Sequence, residues 1–121
     1  MPRPWNPRTL LLACETALKR PDSTLRVATI RDPVLTAKCE FSWDGKRASD
    51  SEFVVDPAKG GLVESFLHEA LHVVLAQEIG ERFNPTLDEV IIKALERELW
   101  MKIKKRDLVR WRALLAARIE K

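Results

Sequence analysis

Ser65-Phe66-Leu67-His68-Glu69-Ala70-Leu71-His72-Val73-Val74-Leu75 governs the reading of this chain, because an HExxH signature lies there inside an otherwise apolar run. Residues four apart on a helix lie about 40° apart around its axis, so His68 and His72 can both reach one metal ion while Glu69 projects beside them. Ser65, His68, Glu69, His72 and Ala76 share one narrow sector, and leucines, valines and Phe66 fill most of the rest. A helix so widely apolar belongs in a core. Polar groups left unpaired there cost roughly 1–3 kcal/mol each, against a typical total stability of about 5–15 kcal/mol. A bound cation removes that cost. The alternative is a pair of core histidines bonded to carbonyls or carboxylates, with Glu69 at the surface and no metal. The spacing, which is that of a zinc protease site, favours the metal.

Outward from this helix, which the pattern places over 62–79 with Gly80 as its stop, the chain divides into short elements. Asn6-Pro7 reads as an N-cap and first helical residue, opening a helix over 7–19. Strands are expected over 25–30, over 37–43 with the hairpin signal Asp44-Gly45 behind it, and over 52–56; 46–51 reads as a polar loop. Beyond the motif helix, Asn84-Pro85-Thr86 opens a helix to about Lys104, and Asp107 caps a last one carrying Leu108, Trp111, Leu114, Leu115 and Ile119. The resulting order is a helix, three strands of a small sheet, then three helices: one α+β domain over 1–121.

The 121 residues suffice for one domain with a real core. No apolar run reaches the length of a membrane span, and the first eight residues lack a signal-peptide core, so a cytoplasmic protein with no membrane partner is expected. Cys14 and Cys39 stand apart without CxxC spacing and read as free thiols of a reducing compartment. The only two histidines both lie in the motif, and there is no tyrosine. A third histidine ligand is therefore impossible within one chain, as is the Tyr or His that many zinc proteases use to stabilise an oxyanion.

Catalytic zinc has three protein ligands and one open position, so a carboxylate is needed downstream of His72. Asp88, Glu89 and Glu96 are the candidates. Glu89 and Glu96, seven apart, share a helix face, whereas Asp88 falls among Ile92, Leu95 and Leu99. Two of them have a bland reading as well: Glu89 as the capping-box partner of Thr86, Glu96 as a solvated surface charge.

At HExxH, and more loosely over about 25–99, the chain resembles the minimal gluzincins, including the IrrE/ImmA-like proteins and small phage-encoded metallopeptidase-like proteins. Those place a short strand, here 52–56, before the HExxH helix. They then draw a glutamate from the next helix, commonly with an alanine five positions later, which Glu89 and Ala94 match. The Asn-x-Phe-Ala sequence of the IrrE/ImmA branch is missing, and no helix-turn-helix is recognisable. The resemblance implies a zincin-like fold, Glu89 as third ligand beside His68 and His72, zinc as the cofactor, and Glu69 as general base in hydrolysis of a protein or peptide substrate. It also implies that the strand over 52–56 is an edge a peptide can join.

Two rival readings accompany the peptidase. One is a metal-stabilised binding protein without activity. The other is a nucleic-acid-binding module, since Arg97, Lys102, Lys104, Lys105, Arg106, Arg110, Arg112, Arg118 and Lys121 crowd the end of the chain around Trp100 and Trp111. Without a base-reading motif these basic helices are expected to bind nucleic acid weakly at most, and a solvated helix pair is favoured.

Overall fold

A computed structural model describes residues 6–45, 48–79 and 85–120. The elements are α1 (Pro7–Lys19), β1 (Thr24–Val27), β2 (Ala37–Trp43), β3 (Ala48–Val55), α2 (Leu62–Ile79), α3 (Pro85–Lys102), α4 (Lys105–Arg118) and β4 (Ile119–Glu120). This is an α+β fold with four helices and a small mixed sheet of order β2-β3-β1-β4.

The motif helix α2 is the core of the molecule because its sequence leaves almost no polar face. Val63, Phe66, Leu67, Ala70, Leu71, Val73, Val74, Leu75 and Ala76 are all buried, and α2 touches α1, α3, α4, β2 and β3. Phe66 is wedged between Phe53 of β3 and Trp111 of α4, with ring centroids 4.9 and 5.9 Å away. These offset aromatic contacts tie sheet, central helix and C-terminal helix together. At the start of α1, Asn6 caps as its sequence implies: its Oδ1 accepts from the Thr9 amide at 2.9 Å.

Several expectations need correction. The first strand stops at Val27, because the chain turns away there and the Ile30 amide is taken by the Asp56 carboxylate at 3.0 Å. Residues 48–51, expected as loop, are strand. The turn at Gly45, whose φ of 94° suits glycine, brings Ala48 opposite Trp43, so the β2–β3 ladder begins at the hairpin itself. β3 is not an edge: it pairs antiparallel with β2 and parallel with β1, which leaves β2 outermost. Asp107 does not cap α4 from the N-cap position. It lies one turn inside, where its carboxylate accepts the Lys104 amide at 2.9 Å. Ile119 leaves that helix to form β4, a fourth strand parallel to β1. α3 ends at Lys102; the proposed stop Gly80 and the proposed opening residue Asn84 lie outside the described residues.

The C-terminal end of α4 is fastened to the beginning of the chain by one side chain. Arg118 donates from Nε to the Leu18 carbonyl at 3.1 Å, and from Nη2 to the carbonyls of Arg20 and Ser23 at 3.2 and 2.7 Å. The cation thus satisfies carbonyls at the end of α1, where the helix dipole also favours it. Among the described residues no helix is long and apolar enough to cross a membrane.

Candidate metal centre

Three helical turns supply the site. His68, Glu69 and His72 come from the middle of α2, and α3 lies against it so that Asp88 and Glu89 from its first turns and Glu96 further along face the two histidines. The polar sector of α2 is therefore met by the acidic side of α3, and burial of the histidines is partial.

The ring nitrogens are sorted into two sets. His72 Nδ1 lies 2.7 Å from Asp88 Oδ2, and His68 Nδ1 is bonded to Glu96 Oε1. The two Nε2 atoms turn the other way, toward one oxygen: Glu89 Oε1 is 2.9 Å from His72 Nε2 and 3.4 Å from His68 Nε2. Ligand atoms held about 2.0–2.1 Å from a tetrahedral ion lie roughly 3.3 Å from one another, so these hydrogen-bond and ion-pair distances are also compatible with a shared ion. His68, Glu69 and His72 likewise bring one ligand atom each within 4.8 Å of the others. The cluster could hold a metal ion.

Each of the three acidic residues meets a histidine ring, an arrangement that satisfied core histidines bonded to carboxylates would also show. Glu96 is engaged with His68 rather than solvated, and Asp88 leaves its apolar neighbours for His72. Because α3 begins at Pro85, Thr86 is inside the helix and no longer a cap for Glu89 to complement.

Around the cluster lies a cleft of about 450 Å³. One wall is the stretch 34–37 leading into β2, with Val34 83% and Leu35 44% exposed; the other carries Glu64, Glu69, Glu89 and Glu96. Lys93 is the only lysine or arginine lining it among the described residues. Its place four residues after Glu89 and three before Glu96 puts it on the same helix face. That periodicity was available in the sequence as the signal for a cation beside the site. Gly60, also in the lining, sits close to Thr36: a Cβ there would come 3.1 Å from Thr36 Cγ2 and 3.3 Å from Thr36 Cβ, so Thr36 would have to give by a few tenths of an ångström.

Charge and burial shift two groups. The bond to Glu96 raises His68 to about 9 despite its partial burial, with Glu69 and Glu89 adding to the effect. Burial raises Glu69 to about 6, opposed by the nearby histidines. Both groups bind protons more tightly in the folded state, so the metal-free protein should lose stability as pH rises. Glu69 contributes that loss between about 4.5 and 6, and His68 between about 6.5 and 9. Urea unfolding of the chelated protein across this range checks the sign: a midpoint that rises from pH 6.5 to 9 is incompatible with it. Comparison with family models, with curated proteins and with solved structures yields no match.

Proposed function

We propose that the chain is a zinc-dependent peptidase of gluzincin type, in which His68, His72 and Glu89 hold the metal and Glu69 is the general base. One observation carries this reading: both Nε2 atoms face a single Glu89 oxygen while both Nδ1 atoms are held by other carboxylates. A histidine fixed at Nδ1 by a carboxylate presents Nε2 in a set orientation and with raised basicity, a device typical of metal-binding histidines. The donor set of two imidazoles and one carboxylate suits zinc.

When bound, zinc acidifies water and polarises a carbonyl. The remaining work falls to the chain. Glu69, whose carboxyl is raised to about 6, is ionised at neutral pH and close enough to neutrality in proton affinity to take a proton from water and return it to a leaving amine. Lys93 is the cation available to neutralise a developing oxyanion, the role for which no tyrosine or third histidine exists. A peptide substrate would lie along 34–37, with an apolar side chain against Val34 and Leu35, rather than beside the interior strand β3.

The experiment that tests the metal assignment is elemental analysis of protein purified without added metal, beside His68→Ala. Near one zinc per chain is expected in the parent and little in the variant, with chelation lowering the melting temperature of the parent only, since a metal bound only by the folded state stabilises it. Parent protein free of metal, with melting unchanged by zinc or chelator, would end the proposal.

A further inference from the structure

Four exposed cations meet at a second cleft, which shares no lining residue with the cleft at the metal centre. Arg8 and Leu11 of α1 meet Lys102, Lys104, Arg106 and Asp107 of the α3–α4 junction around a cavity of about 540 Å³. Arg8, Lys102, Lys104 and Arg106 are exposed, and none forms an ion pair among the described residues. Some other cations are spoken for, Lys19 and Arg110 by Glu15, Arg20 by Asp22, Arg26 by Glu52 and Arg118 by carbonyls, whereas Arg31, Lys38, Lys93, Arg97, Lys105 and Arg112 are exposed without an ion pair among the described residues but do not line this cleft. Asp107, the one carboxylate in the cleft, is engaged by the Lys104 amide. Four cations against one carboxylate give a net +3, equal to the formal charge of the entire chain.

We infer that this cleft binds the phosphodiester backbone of nucleic acid without regard to sequence. The tryptophans that could have read bases do not take part. Trp111 is 1% exposed and packed on Phe66, Trp100 is half-buried against the core, and neither lines the cleft. At the helix ends Asn6 already takes the Thr9 amide and Asp107 the Lys104 amide. What remains is charge converging from two parts of the chain, the chemistry that positions a protein on phosphates but carries no sequence information. A concave, charge-lined shape suits a strand running through it better than a flat lipid surface, and Leu11, its apolar member, is half-buried rather than projecting.

The test is fluorescence anisotropy of the full chain with duplex DNA about 20 base pairs long, at salt between about 50 and 200 mM. Four phosphate contacts predict a slope of log affinity against log salt of about −3.6, a loss on the order of 100-fold across that range, and equal affinity for unrelated sequences. The triple variant Lys102→Gln/Lys104→Gln/Arg106→Gln should flatten the slope to about −1. Lys38→Gln/Arg97→Gln/Arg112→Gln, which removes the same charge from exposed positions elsewhere, should leave it near the parent value. Equal losses from the two triple variants would reduce the effect to bulk charge and overturn the inference. So would no binding at low salt, strong preference for one sequence, or tighter binding to phosphatidylserine vesicles than to DNA with the same variant dependence.

Discussion

Glu69→Gln, if the chain is the zinc peptidase proposed above, is expected to keep the metal and the fold while cleavage of a peptide falls by about 10²–10⁴, the usual contribution of a positioned general base. The amide is nearly isosteric and cannot accept a proton from water. The metal stays because the Nε2 atoms of His68 and His72 and the oxygen of Glu89 are untouched by the change. Metal content and turnover must therefore be measured on the same preparation. Loss of both together would make Glu69 a ligand, an arrangement its closeness to both histidines also permits. Retention of both would remove Glu69 from the role of general base.

The second large effect separates the three acidic residues that are candidates for the third ligand. Glu89→Gln should weaken zinc binding by more than about 100-fold, because a charged ligand becomes a poor neutral one. Asp88→Asn and Glu96→Gln act through the histidines they hold at Nδ1, and should each cost only about 10–100-fold. Competition with a chelator of known affinity orders the three. If Glu96→Gln loses the metal and Glu89→Gln keeps it, the convergence on Glu89 has no bearing on metal binding.

Where periodicity and caps alone decide, the chain was readable. α1, β2 and α2 fall where their patterns place them, the last because a wide apolar sector begins after Gly60-Gly61 and runs unbroken to Ile79. What could not be read depends on neighbours distant in sequence. No feature local to residues 52–56 says that β1 and β2 will flank them, and two residues of β4 carry no pattern. The site divides in the same way. HExxH and its spacing are local, and so is the face shared by Glu89 and Glu96. Which carboxylate meets Nε2 and which meets Nδ1 is set by how α3 crosses α2, and a sequence without an alignment does not encode that visibly. Ala48 to Ser51 read as loop because polar residues of a strand tip resemble one, although the turn itself falls at Asp44-Gly45 as its signal implies.

The Arg118 clasp also bears on the order in which this molecule assembles. Its hydrogen bonds join residues 95 to 100 positions apart, whereas those between α2 and α3 at the histidines span 16 to 28. Because closure entropy grows with the logarithm of loop length, forming the clasp first would cost about 1.5 kcal/mol more than forming the helix pair first. The α2–α3 pair is thus the cheaper early event, and α4 with β4 closes over it afterwards. Mutations at Arg118 should accordingly speed unfolding while leaving refolding nearly unchanged, the kinetic mark of an interaction made after the transition state.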